Sequence, residues 1–260
     1  MNTFSKARLI ETLKQIREMG WIDCRRPGNQ GGAGNTLEDL LGIEENNLPI
    51  PNANEWELKT QQIPSASLVT IAHNEPSPTA LRFVPQVLLP KYGWSHQEAG
   101  GKYPTGEMSF RQTISGHMRS DRGFMVQVDR AEEKIKISFD HKSVSERHAA
   151  WLNSVKARAG LGELATQPYW GFRDLGAKLG TKLGNCFFVQ AEKQTVNRVK
   201  QYRYSQIRML ETFSLEKFLS ALEHGHAYID FDARTGHNHG TKFRIKESQI
   251  AELYSKVTVI

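Results

Sequence analysis

The sequence predicts one mixed α/β unit spanning residues 1–260, with a two-lobed arrangement as its variant. Three observations carry this reading. Apolar residues recur at helical spacing near the start, two alternating apolar runs flank a charged turn in the middle, and a helix, strand, loop and strand follow one another toward the end. A chain of 260 residues, 38% hydrophobic and 24% charged, is long enough to bury a full core and has the composition of an ordinary soluble protein.

The elements follow in order. Leu9, Ile10, Leu13, Ile16 and Met19 lie at helical spacing, and Gly20 is placed to end that helix. Residues 27–34 hold four glycines that would let backbone amides approach a phosphate. Their spacing fits no P-loop, and the stretch reads as a mobile connector. Residues 35–42 read as a short helix opened by a capping box of Asn35 and Glu38 and stopped by Gly42. After Pro49-Ile50-Pro51-Asn52, a strand sets Glu55, Glu57 and Lys59 on one face and turns Trp56 and Leu58 toward a core.

Residues 68–72 read as the next strand. Residues 109–140 are β, with Phe124, Val126 and Val128 alternating, then Ile135, Ile137 and Phe139 beyond a charged turn at 130–133. Residues 143–183 are mainly helical, with Leu175, Leu179 and Leu183 on one side, and 186–190 form a buried strand. Ser214 caps a helix in which Phe213 and Phe218 have hydrophobic-staple spacing, and Gly225 ends it. A strand at 228–232 carries Tyr228, Asp230 and Asp232 on one face. A His- and Gly-rich loop at 235–240 leads to a strand at Lys242–Ile245.

Charge and cysteine usage narrow the function classes. A net charge of +6 and a pI near 9.3 favour a polyanionic partner. Cys24 and Cys186 cannot build a disulfide framework or a Cys-rich zinc site, so reduced thiols are expected. No apolar run reaches membrane-spanning length and the N-terminal stretch is not a hydrophobic signal, which points to the cytoplasm and away from a membrane.

Glu57 and Lys59 form an E-x-K pair, the minimal layout of many metal-dependent nucleases. A carboxylate and an ammonium side by side on a rigid strand can bind a divalent metal and steady a water nucleophile. The same letters also occur on solvated strand faces. What distinguishes this pair is its context, N-T-L-E-D-L-L-G-I-E-E-N-N-L-P-I-P-N-A-N-E-W-E-L-K-T over residues 35–60, with Arg111-Gln112-Thr113-Ile114-Ser115-Gly116 and a third segment at residues 237–245. In order and approximate spacing these segments resemble the MvaI/BcnI family of type II restriction endonucleases, which are similar in fold to the mismatch-repair nicking enzyme MutH.

The resemblance implies a PD-(D/E)XK fold, a mixed sheet flanked by helices with two lobes around a DNA cleft, and Mg2+-assisted hydrolysis of a DNA phosphodiester. It assigns residues 35–72 to catalysis and 226–246 to recognition. Glu57 and Lys59 match the family's E-x-K, and Glu38 matches an acidic residue brought from a helix. One position departs, because Asn52 stands where the family pattern has aspartate. Asparagine offers a neutral carbonyl to magnesium without the charge of a carboxylate. Compensation by Glu38 is the favoured reading, ahead of Glu55, and metal binding by Glu57, Asn52 and Glu38 follows from it.

His237 and His239 are placed by the resemblance in a loop that reads base edges. Two histidines alone are a poor zinc site. Arg244 would then take guanine in bidentate fashion, Asp230 or Asp232 would accept from cytosine, and Arg111, Gln112, Thr113 and Ser115 would line the same surface. A phosphate clamp remains open for Arg244, a solvated edge for the aspartates, and an ordinary strand for the segment of Thr113 and Ile114. Residues 91–97 mix basic and aromatic side chains, suiting either backbone contact and stacking or a plain core. Lys178, Lys182, Lys193, Arg198, Lys200 and Arg203 read as a solvated face, at most one that tracks phosphates. The expectation is a monomeric, sequence-specific endonuclease acting on double-stranded DNA, with a cognate DNA methyltransferase as genetic partner. A DNA-binding protein that has lost cleavage through Asn52 and a MutH-like repair nickase are the alternatives.

Overall fold

Leu9, Leu13 and Ile16 fall on one stripe of the first helix, Lys6–Glu18, and all three are buried. The Ser5 hydroxyl accepts from the Arg8 N–H at its start, and Gly20 follows its end with φ +71°. In the computed structural model the residues described are 5–28, 31–43, 53, 55–64 and 67–260. Asn52, an expected metal ligand, lies outside them. The chain divides into two compact units, one comprising Met1–Val69, Ala177–Leu215 and Glu247–Ile260, the other Thr70–Gly176 and Glu216–Lys246.

The first unit is built on a five-stranded sheet in the order Ile22–Asp23, Val199–Phe213, Asn185–Val196, Glu57–Ile63, with Tyr254–Val259 also pairing to Val199–Phe213. Glu57–Ile63 runs parallel to Asn185–Val196, with Glu57 opposite Cys186 and Ile63 opposite Glu192. The other pairings are antiparallel. Because side chains alternate across a pleat, Leu58, Phe187, Val189, Tyr204 and Met209 share one face, where they join Leu9, Leu13, Leu37 and Trp56 in a single core. The Trp56 and Phe187 rings lie 4.6 Å apart.

The second helix differs from its expected form. It runs Gly32–Leu41, so three of the four glycines expected in a connector border or enter it, and Asn35 lies inside the helix rather than at its cap. Gly31 occupies the N-cap and offers no side chain, so the capping box of Asn35 and Glu38 does not form. The reason is packing: a Cβ on Gly32 would sit 2.4 Å from the Tyr202 hydroxyl. Small residues let the helix start approach the sheet closely, and that tertiary contact outweighs the local capping signal. Gly42 ends the helix at φ +68°, as its position predicted.

The second unit contains two sheets. One has the order Val69–His73, Lys242–Ile245, Ala227–Arg234, Met108–Ile114, Trp94–Ser95, with His237–Asn238 also pairing to Ala227–Arg234. The other is Arg122–Asp129, Lys134–Val144, Tyr169–Gly171. The expected alternation holds, with Phe124, Val126, Ile135, Ile137 and Phe139 all buried. Asp129 stabilises the charged turn by accepting from the N–H groups of Ala131 and Glu132. Residues 143–183 do supply helices Ala149–Ala159 and Phe172–Leu183, but the strand Tyr169–Gly171 separates them. At residues 91–97, Tyr92 is core, packing edge-on against Phe139, and Trp94 carries the Arg122 guanidinium 3.8 Å above its ring. No helix among the described residues is long and apolar enough to cross a membrane.

Candidate active site and the charged face of the second unit

The second face of the first unit's sheet carries the E-x-K pair. Glu57, Lys59 and Gln61 alternate onto it, opposite the face holding Leu58. Cross-strand register sets Cys186 beside Glu57 and Phe188 beside Lys59, and Leu210 and Arg208 lie one strand further on. Glu57 is 1% exposed and its Oε1 is 2.5 Å from the Lys59 Nζ. A carboxylate this buried requires a partner, and Lys59 is two residues away on the same face. Lys182, from the helix Phe172–Leu183, reaches 3.8 Å from the same oxygen. Its place among the solvated lysines was the expectation. The signal that could have found it is its position between Leu179 and Leu183, both buried, three residues before the strand that pairs with Glu57–Ile63.

The surroundings of Glu57 are apolar on one side. Burial pushes the Cys186 thiol up to about 12, so it stays protonated and neutral behind the carboxylate. Burial likewise holds the Tyr254 hydroxyl well above its ordinary value. Further along the same face, Gln190 donates to Glu247 at 2.8 Å and Arg208 pairs with that carboxylate at 3.6 Å. Sequence reasoning singled out none of Gln61, Arg208 and Glu247, and it read Lys182 as part of a solvated face, at most one that tracks phosphates.

Glu38 sits in the last turn of Gly32–Leu41, half-buried, and its carbonyl accepts from the Ile43 N–H. Its neighbour Asp39 is held by the Arg26 guanidinium, which lowers the Asp39 carboxyl below the usual range. Glu55 does not lie on the strand. It occupies an exposed turn closed by Ala53 and Trp56, which exchange both backbone hydrogen bonds, so the expectation that it shares the Glu57 face is corrected. Among the described residues no three His, Cys, Asp or Glu side chains gather into one cluster.

In the second unit, Phe110, Ile114, Ile229, Phe231, Ala233, Phe243 and Ile245 bury one face of the strands Met108–Ile114, Ala227–Arg234 and Lys242–Ile245. The opposite face therefore collects Arg111, Thr113, Asp230, Asp232, Arg234, Lys242 and Arg244, and cross-strand neighbours alternate in charge. Asp230 is only 8% exposed, accepts from the Thr113 hydroxyl at 2.7 Å and pairs with Arg244 at 3.2 Å. Asp232 lies between Arg111 and Lys242, each at 3.4 Å. Both oxygens of Asp230 are thus engaged inside the sheet, which makes it a support for Arg244. Gln112 points to the apolar side opposite Phe231 and accepts from Ser120 rather than joining Arg111 and Thr113.

His237 and His239 are exposed on a short β-arm that pairs with the end of Ala227–Arg234. Their rings stand 4.2 Å apart and nearly perpendicular, and His237 Nε2 lies 3.3 Å from His239 Nδ1. The arm is tied down at its base. Glu75 accepts from both the N–H and the hydroxyl of Thr241, and the His239 N–H donates to the Asp232 carbonyl. Beside it lies a cleft of about 450 Å³ lined by Trp94, His96, Tyr103, Arg111, Asp232 and His239, among others.

With this geometry in place, comparison with known proteins gives three findings. The model of the MvaI/BcnI restriction endonuclease family matches residues 10–254. The structure of a restriction endonuclease MvaI–cognate DNA substrate complex matches with a TM-score of 0.77 at 24% identity, covering 98% of this chain and 99% of that one. Restriction endonuclease MvaI in the absence of DNA matches with a TM-score of 0.55 at 24% identity, each chain being covered in full. No curated protein matches the chain.

Proposed function

The chain belongs to the MvaI/BcnI restriction endonuclease family, which makes it a type II site-specific deoxyribonuclease by class, and on that premise we propose how it acts. It hydrolyses phosphodiester bonds of double-stranded DNA at a defined sequence, with Mg2+, as a monomer carrying one active site. One observation carries the reading. The buried Glu57 carboxylate and the Lys59 ammonium are 2.5 Å apart on one face of a sheet strand, inside the segment that the family model covers.

The donor chemistry fits magnesium. Glu57 is a hard oxygen donor, and Asn52 and Glu38 would add an amide and a carboxylate oxygen, the ligand type this cation takes. When bound, magnesium supplies Lewis-acid polarisation of the phosphate and acidifies a water. The remaining work falls to the protein. Lys59, held by Glu57, orients the attacking water through its ammonium hydrogens and offsets charge that develops on the phosphate oxygens. The pleat fixes both side chains, so little reorganisation is needed during reaction.

The second unit does the reading. Arg244, aimed by Asp230 and Thr113, offers a guanidinium fork to a guanine edge. Arg111 contacts the same groove, and His237 and His239 on their arm donate to or accept from base edges. In the cell the protein is cytoplasmic, and a cognate methyltransferase protects the host sites.

The test is incubation of the purified protein with supercoiled and linear DNA of known sequence, in magnesium or EDTA, beside Lys59→Ala. Discrete magnesium-dependent fragments that vanish in the variant are expected; intact DNA in every lane overturns the reading. Asn52 favours a second reading, a DNA-binding protein with impaired cleavage. That reading predicts a gel shift without cutting, and restored cutting in Asn52→Asp.

A further inference from the structure

The Glu57 carboxylate has more cation around it than its own charge requires. Lys59 already pairs with it at 2.5 Å, yet Lys182 stands 3.8 Å from the same oxygen. At that separation the second ammonium makes an ion pair without a hydrogen bond, so its three donors are not committed to Glu57. Among the described ion pairs, two ammoniums meet one carboxylate oxygen at this point of the sheet face. In a partly desolvated setting an ammonium attracts an anion more strongly than it would in water.

The position of Lys182 is built in. Leu179 and Leu183, 0% and 1% exposed, fix the roll of the helix on which it lies. Gly184 then turns the chain so tightly that a Cβ there would meet the Gly180 carbonyl oxygen at 2.7 Å, and its own carbonyl accepts from the Phe213 N–H. Two residues later Cys186 is in register with Glu57. The helix end and the strand start are thereby anchored to the sheet, while the Lys182 side chain keeps 27% of its surface in solvent. A lysine that served only to neutralise Glu57 would duplicate Lys59.

We infer that Lys182 is a second phosphate-binding residue of the cleavage site. Its ammonium takes a non-bridging oxygen of the DNA backbone at or beside the scissile phosphate, leaving Lys59 to Glu57 and the water. This rests on the nuclease reading above and adds a contact that the E-x-K pair does not supply.

The test uses the full chain with Lys182→Ala and Lys182→Arg, each checked by its melting curve. Lys182→Met, which keeps the aliphatic stem, replaces alanine if that variant melts early. Binding of a fluorescent 30-base-pair duplex that contains a cut site is followed in EDTA across a salt series. Loss of one phosphate contact lowers the slope of log affinity against log salt by about 0.9. The expected result is that reduction in alanine or methionine and retention of the slope in arginine. Single-turnover cutting of plasmid in magnesium is expected to fall at least tenfold in alanine and to recover in part in arginine. An unchanged slope overturns the inference, and so does a reduced slope with unchanged cutting, which would put the contact away from the cut. If the unmodified protein cuts nothing, the nuclease reading fails, and the salt slope on plasmid-derived duplex still decides whether Lys182 holds a phosphate.

Discussion

Each of the two units carries a sheet with one apolar and one polar face, yet the polar faces are organised in opposite ways. In the first unit the Glu57 carboxylate, 1% exposed, is crowded by two lysines and backed by neutral Cys186. In the second, acids and bases interleave across three strands, with Asp230 under Arg244 and Asp232 between Arg111 and Lys242. The first arrangement concentrates charge at one point, which suits chemistry on a phosphate. The second distributes directed donors over a surface, which suits discrimination. Burial and pairing decide which of these a row of charged residues becomes.

Lys59→Ala is expected to lower single-turnover cutting by roughly 10²–10³-fold while leaving base preference intact, as removal of one transition-state donor does. A change of preference in that variant would mean that the two faces are not separate in function. Arg244→Ala is expected to do the reverse. It should cost about 1–3 kcal/mol of discrimination at one base position, read from competition among duplexes with single substitutions. Asp230→Asn should lower the same discrimination by a smaller amount, since it removes the support of Arg244 and not the contact. Equal loss across all sequences would recast Arg244 as a phosphate clamp.

Smaller effects probe the scaffold of the first unit alone. Gly32→Ala forces the helix start off Tyr202, and an overpacked contact of that kind costs about 1–3 kcal/mol, visible as a lower melting temperature with cutting per folded molecule unchanged. Alkaline titration gives the last. The folded state keeps the Cys186 proton up to about 12, whereas the unfolded chain releases it near the ordinary value of 9.0. The stability from this thiol is therefore complete below pH 9 and declines as pH rises toward 12, at up to about 1.4 kcal/mol per pH unit. Urea midpoints between pH 8 and 11 should fall more steeply in the unmodified protein than in Cys186→Ala, and equal slopes would show the thiol to be solvated.

Much of this was legible in the residue order. The E-x-K pair on a strand with Trp56 and Leu58 behind it, the alternation at 124–139, and the shared face of Tyr228, Asp230 and Asp232 follow from side-chain periodicity, which is local. The misses share a cause. Asn35 and Glu38 carry a correct capping signal that lost to the close approach of Gly32 to Tyr202, 170 positions away in the chain. Glu55 alternates correctly with Glu57 but is diverted by a turn between Ala53 and Trp56.

Short-range spacing and motif order suffice for most of the shared faces, for the helix stops at Gly20, Gly42 and Gly225, and for the family to which the motifs belong. Contact partners come from long-range packing. Parallel pairing of Glu57 with Cys186, across more than a hundred intervening residues, brings Lys182 to the carboxylate. The same long-range pairing lays Thr113 and Arg244 on Asp230. No periodicity encodes a contact between distant segments; hydrogen-bond register between strands and the burial of apolar faces set it.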